Sequence, residues 1–147
     1  MTNFTLTGRQ EERAILQQAL DTPEAEMVAV YGRRRVGKTF LIKQVYQERI
    51  VFEITGIQKA PYAEQIQNFV QQLNKVAENT LPVQTPKNWL EAFHLLTVLL
   101  EKKLSDQKGV VFFDELPWES RPSYPLRPMK TIPFRGPTFR PGSREGR

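Results

Sequence analysis

The residues with the most specific chemistry lie in one octapeptide, GRRRVGKT, from Gly32 to Thr39. It matches the pattern G-x-x-x-x-G-K-S/T at every fixed position, and this pattern is typical of a phosphate-binding loop. Gly32 and Gly37 allow the backbone to curl until its N–H groups point at phosphate oxygens. We expect Lys38 to reach the β and γ phosphates and the Thr39 hydroxyl to bind magnesium. A helix that begins here would direct its positive dipole end at the anion, so the motif predicts a nucleoside triphosphate with Mg²⁺.

The variable positions of the loop belong to the same predicted nucleotide site, although their roles are less specific. They are Arg33, Arg34, Arg35 and Val36, with Phe40 directly after the motif. Two interpretations of the three arginines stay open. They form either a solvated basic rim or direct contacts to phosphate.

A second candidate site is the hexapeptide VVFFDE, Val110 to Glu115. Four apolar residues without polar alternation are typical of a strand covered on both faces, as in the centre of a parallel sheet. The two carboxylates then lie at the carboxyl end of the strand, where open α/β sheets bind ligands. We expect Asp114 to hold Mg²⁺ as the acidic partner of Thr39. Glu115 is placed to polarise an attacking water, as a general base.

Apolar spacing predicts the elements that must position these residues, and their alternation predicts a doubly wound α/β fold with a parallel sheet. The predicted elements are a helix over 10–21, a strand over 27–31, a helix from the loop to about residue 47, a strand over 50–54, a helix from Pro61 to about residue 78, a helix carrying Trp89 through Leu104, and the strand that opens VVFFDE.

Composition excludes several classes of protein. The 147 residues fit one domain, and the absence of cysteine excludes a disulfide scaffold. The N-terminus lacks the apolar run of a signal peptide, and no stretch approaches a membrane span, so we expect a cytoplasmic protein with no membrane partner.

His94 has no second histidine or cysteine nearby, so it is not expected to bind metal. Trp89 and Phe93 lie one helical turn apart and are expected in the core.

Charge is distributed unevenly along the chain. Residues 1–118 hold 14 Lys+Arg and 14 Asp+Glu, whereas residues 119–147 hold 7 and 2. The whole excess of positive charge therefore lies in the last 29 residues. The part expected to fold gives no electrostatic support for nucleic-acid binding.

Taken together, these motifs resemble the prokaryotic, predominantly archaeal P-loop ATPases of the AAA+ and STAND lineage. YGRRRVGKTFLI is similar to that family's Walker A motif and VVFFDELPW to its Walker B motif, over about residues 3–118. Phe4, Gly8, Arg9 and Glu12 are similar to its N-terminal pattern.

The resemblance implies a three-layer P-loop fold, with a parallel sheet between helices, and ATP hydrolysis with Mg²⁺. It assigns catalytic roles to Lys38 and Glu115 and metal binding to Thr39 and Asp114. It also brings Gly8 and Arg9 near the nucleotide base. The preference for adenine rests on the resemblance alone, although the chain contains no N-K-x-D motif of a GTPase. Adjacent carboxylates suit activation of water better than phosphoryl transfer to a small-molecule hydroxyl.

The chain departs from the family after Trp118. Six prolines and six arginines occur in residues 119–147 without a period of 2 or 3.6, so we expect an ATPase domain over 1–118 and a disordered tail over 119–147. The abrupt change suggests truncation or a frame shift after the Walker B motif, with a basic binding arm as the alternative. The resemblance places the missing fourth strand between the two motif-bearing strands, so little turnover is expected. A nucleotide-binding switch or fragment that does not hydrolyse ATP is the alternative function.

Overall fold

The computed structural model describes residues 9–32, 36–78, 84–104, 106–115 and, by their backbone, 130–134. The chain divides into two compact units, one of Met1–Val45 with Pro125–Arg147 and one of Tyr46–Tyr124. None of the helices in these described ranges is long and apolar enough to cross a membrane. The elements are α1 (Gln10–Asp21), β1 (Val28–Gly32), α2 (Lys38–Tyr46), β2 (Ile50–Thr55), α3 (Tyr62–Ala77), α4 (Trp89–Lys103), β3 (Val110–Asp114) and β4 (Lys130–Phe134).

Every helix and strand expected before Trp118 is present, with ends within two residues of the expected ones. Local chemistry explains several of these ends. Pro61 stands just before α3, where its missing N–H costs no hydrogen bond. The side chain of Asn88 caps α4 by accepting from the Glu91 N–H, and a Glu91 oxygen accepts from the Lys87 N–H in return.

The first unit is built on a parallel pair of strands, β1 and β4. The register joins Val28 to Lys130 and Gly32 to Phe134. α1 contacts β4 and buries Leu16 and Ala19. The carboxyl end of β1 is therefore held in place where the phosphate-binding loop begins.

Strand β4 corrects the expectation for the tail. Residues 130–134 were expected to lack regular structure, whereas they form a strand paired with β1. Pro133 lies opposite Tyr31 in this pair. A proline is tolerated in an edge strand because its missing N–H need not enter the ladder. The remaining tail residues, 119–129 and 135–147, lie outside the described part of the chain.

The second unit contains the other parallel pair, β2 and β3, in which Glu53 lies opposite Phe112 and Thr55 opposite Asp114. Successive side chains of a strand alternate between faces, so one face carries Glu53, Thr55 and Asp114. The opposite face packs against α3 and α4 and forms the core. The buried core residues are Phe52, Ile54, Phe69, Leu73, Ala77, Ala92, Leu96 and Leu99.

Both pairs are parallel, as expected for an α/β protein. The described strands form two sheets of two strands each. A single sheet with helices on both faces therefore remains a prediction. Among the described strands, β1 pairs with β4 and β2 pairs with β3.

Phe69 of α3 is the centre of the aromatic core. Its side chain is fully buried, and its ring centroid lies 5.3 Å from that of Phe52, 5.4 Å from Trp89 and 5.6 Å from Phe93. Trp89 packs partly buried against the core, as expected. Phe93 was also expected in the core, but 43% of it is exposed, and its ring contact with Phe69 joins it to the cluster. His94 is exposed, as expected for a histidine outside the apolar stripe.

We predict that Phe69→Ala lowers the free energy of unfolding by about 3 to 5 kcal/mol, because it removes a buried ring and leaves a cavity. Leu90→Ala is the matched control, since 81% of Leu90 is exposed, and it should change stability by less than about 0.5 kcal/mol. Urea unfolding measures both. Equal midpoints for the two variants would show that the aromatic cluster does not stabilise the chain.

We also predict that the free energy of unfolding falls at high pH, because Tyr46, the last residue of α2, ionises there. Burial raises the pKa of Tyr46 from 10.0 to about 12. Between these values the folded chain keeps a proton that the unfolded chain has lost, so this contribution is complete below pH 10 and disappears as the pH rises toward 12. Tyr46→Phe should remove it, whereas Tyr31→Phe, at an exposed tyrosine, should not. Urea midpoints measured across this range check the difference. Parallel pH profiles for wild type and Tyr46→Phe would contradict it.

Candidate functional site

The candidate phosphate-binding loop joins the end of β1 at Gly32 to the start of α2 at Lys38. Gly32 has φ +150° and Gly37 has φ +89°. Both lie in the region that side chains rarely adopt. A Cβ on Gly37 would meet no atom within 4 Å, so the backbone conformation and not crowding requires glycine here. A strand that ends at Gly32 and a helix that begins at Lys38 agree with the motif.

Lys38, the first residue of α2, contacts the end of β1. Its Nζ donates to the Gly32 carbonyl at 2.7 Å. The N–H of Leu41 donates to the Gly37 carbonyl at 3.0 Å and starts the hydrogen-bond ladder of α2. The first turn of α2 contains no acidic residue. Its positive end therefore suits an anion.

Arg9 contacts the loop from the N-terminal side of α1. One guanidinium nitrogen, Nη2, donates to the Val36 carbonyl at 3.3 Å, and Nη1 forms an ion pair with Glu12 Oε1 at 3.3 Å. Farther along α1, Arg13 Nη1 donates to Gln44 Oε1 of α2 at 3.3 Å. The structure thus gives Arg9 a contact with the backbone of the loop, which sequence reasoning had not anticipated. Its expected approach to a nucleotide base stays a prediction.

The other expected loop residues differ in what the structure describes. Val36 and Thr39 are half-buried, and 48% of Phe40 is exposed. The remaining candidates, Gly8, Arg33, Arg34 and Arg35, lie outside the described residues.

Asp114 is the last residue of β3 and lies beside Thr55 of β2. Its backbone carbonyl accepts a hydrogen bond from the Gly56 N–H at 2.8 Å. Glu115 follows with φ +51°, a left-handed conformation uncommon for glutamate. The chain turns sharply at this residue, and the Glu115 side chain is exposed.

Two side chains of α3 that sequence reasoning missed hold the chain directly after β2. Gln65 Oε1 accepts from the Ile57 N–H at 3.2 Å, and Gln65 Nε2 donates to the Ile57 carbonyl. Asn68 Nδ2 donates to the Thr55 carbonyl at 2.9 Å. The sequence did contain a sign of the Gln65 contact. Gln65 lies beside the apolar residues of α3 and is buried with Ile66 and Phe69, and a buried amide needs hydrogen-bond partners.

Two shallow hollows occur elsewhere on the described surface. One, of about 290 Å³, is lined by Glu53, Ile54, Thr55, Asn68 and Gln72. The other, of about 420 Å³, is lined by Gln10, Arg13, Ala14, Gln17, Gln44 and Val45. Neither hollow is lined by a described residue of the loop from Gly32 to Thr39. The loop is a candidate phosphate site because of its motif and the backbone conformation of its glycines.

The donor types expected to bind Mg²⁺, a threonine hydroxyl and an aspartate carboxylate, are oxygen ligands of the kind that this ion prefers. Within the described ranges, no three histidine, cysteine, aspartate or glutamate side chains come together as a metal site. Magnesium in nucleotide sites needs only one or two carboxylates besides water and phosphate oxygens. The expected hydroxyl and carboxylate ligands occur in different units, Thr39 in the first and Asp114 in the second.

Comparison with known proteins gives one archaeal match. The chain is 42% identical over 42 residues to the uncharacterized ATP-binding protein MJ0423 of Methanocaldococcus jannaschii. The match covers 29% of this chain and 71% of that protein. No protein-family model matches the chain, and no solved structure matches it. The extent of the match over the archaeal protein shows that this chain belongs to the same family as MJ0423.

Proposed function

We propose that the chain binds ATP with Mg²⁺ through the loop from Gly32 to Thr39. The observation that carries this proposal is the turn from β1 into α2, with Gly37 at φ +89° and Lys38 held at the loop. The archaeal relative, named as an ATP-binding protein, supports ATP as the nucleotide.

Lys38 would change partners when nucleotide binds. Its ammonium group donates to the neutral carbonyl of Gly32 in the present structure. A phosphate oxygen is a stronger acceptor for this ammonium group than a neutral carbonyl, because its negative charge adds a Coulombic attraction to the hydrogen bond. The N–H groups at the start of α2 add oriented donors for the same anion.

The proposal extends to hydrolysis as a second candidate, on the strength of Asp114 and Glu115 at the end of β3. Thr39 and Asp114 would hold the magnesium ion, which neutralises charge on the phosphates. Glu115 would accept a proton from water. These roles, the AAA+ and STAND lineage and the three-layer fold rest on the sequence resemblance. A switch that binds ATP without hydrolysing it is the competing interpretation.

Lys38→Ala should weaken ATP binding by ten- to a hundredfold, because it removes a charged hydrogen bond to phosphate. Lys43→Ala is the control, since Lys43 is an exposed lysine farther along the same helix. Titration of a fluorescent ATP analogue in the presence of Mg²⁺ measures both affinities. Equal affinity in the Lys38 and Lys43 variants, or no binding by the wild-type chain, would overturn the proposed function.

The hydrolytic candidate predicts that Glu115→Gln slows single-turnover hydrolysis by about a hundredfold while leaving affinity for ATP unchanged. Glu78→Gln is a close control, because Glu78 is also exposed and also left-handed, with φ +50° against +51° at Glu115. Rapid mixing of excess protein with radiolabelled ATP measures the rate. A wild-type chain that binds ATP without turnover would instead support the switch.

A further inference from the structure

We propose that Gln65 is a positioning residue for the carboxylates that end β3, acting through the backbone of Ile57 and Gly56. This inference rests on the proposed function, because it concerns how Asp114 and Glu115 are held for ATP and Mg²⁺. It assigns no new chemistry to Gln65 itself.

The side chain of Gln65 is the one buried polar side chain in the described part of the core, at 8% exposure. Burying an amide is costly unless both its donor and its acceptor have partners. Gln65 satisfies both on one residue, because its oxygen accepts from the Ile57 N–H and its nitrogen donates to the Ile57 carbonyl. This two-point contact fixes the position and the direction of that peptide segment.

The segment held in this way begins directly at the end of β2. Asn68, one turn after Gln65 on α3, donates to the Thr55 carbonyl at 2.9 Å. Between these two anchored residues lies Gly56, whose N–H donates to the Asp114 carbonyl at 2.8 Å. Gly56 is therefore fixed on both sides by amide side chains of one helix.

The hydrogen bond from the Gly56 N–H ends on Asp114, which is the expected Mg²⁺ ligand of the proposed site. It joins the chain after β2 to the last residue of β3, and Glu115 follows directly in a left-handed conformation. The direction in which the chain leaves β3 depends on that link. Gln65 thus connects the folding of α3 to the placement of Asp114 and Glu115.

The test compares Gln65→Met with Gln67→Met. Methionine keeps the length of glutamine and an apolar fit to the core but forms neither hydrogen bond, and Gln67 is an exposed glutamine on the same helix. Amide hydrogen exchange, followed by NMR on the full chain without nucleotide, reads the link directly. The Val110 N–H is an internal reference, because it donates to the Arg49 carbonyl at 2.7 Å at the other end of the same strand pair.

In Gln65→Met we expect exchange at Gly56 to accelerate roughly tenfold, the effect of losing one or two net hydrogen bonds, with Val110 unchanged. Equal acceleration at both amides would mean general destabilisation and would overturn the inference. So would an unchanged rate at Gly56.

A functional readout accompanies the exchange data. ATP affinity is measured once with Mg²⁺ and once with EDTA, and the ratio of the two gives the contribution of the metal ion. This ratio should fall several-fold in Gln65→Met and keep the wild-type value in Gln67→Met. The affinity measured with EDTA should be equal in all three proteins. Loss of the affinity measured with EDTA, or an unchanged ratio, would contradict a positioning role. A wild-type chain that fails to bind ATP would refute the proposed function instead, while the exchange data would still decide whether Gln65 holds the end of β3.

Discussion

Parallel pairing of strands is the constraint on which the candidate site depends. In a parallel pair the carboxyl ends of both strands lie at one edge, so the residues that leave the strands there become neighbours. The pairing of β2 with β3 sets Thr55 beside Asp114, and the pairing of β1 with β4 supports the strand that ends at Gly32. Hydrogen bonds from the adjoining helices then fix the chain beyond each strand end. Arg9 does this for the loop after β1, and Gln65 does it for the loop after β2.

The two strand ends differ in how they are held. At the phosphate-binding loop the charged group of Arg9 reaches the Val36 carbonyl while also paired with Glu12, so its position depends on an ion pair that is partly exposed to solvent. At the end of β2 the neutral amide of Gln65 is buried and bonded to both the backbone N–H and the backbone carbonyl of Ile57. A buried neutral contact is little affected by salt, whereas an exposed ion pair is screened.

Sequence patterns were sufficient where a single local rule decides the structure. GRRRVGKT predicted the end of a strand and the start of a helix, and the apolar spacing of α3 predicted its buried face. In α4 the spacing was less informative, because Leu90 and Phe93 are exposed whereas Ala92 is buried. Tail residues 130–134 were misjudged because proline and arginine dominate their surroundings, whereas pairing with β1 decides their conformation. The contacts of Arg9 and Gln65 were also missed, because each joins residues whose proximity depends on the turns between elements. Spacing along one element carries no information about such contacts.

The central claim is that the phosphates of ATP lie against the backbone at the start of α2. The most direct measurement is a titration of the ¹⁵N-labelled chain with ATP and Mg²⁺, followed by the amide signals of Gly37, Lys38 and Thr39. The account predicts that these signals shift together and saturate, because their N–H groups gain charged acceptors. Saturating shifts confined to other residues, or no shifts at millimolar ATP, would contradict it.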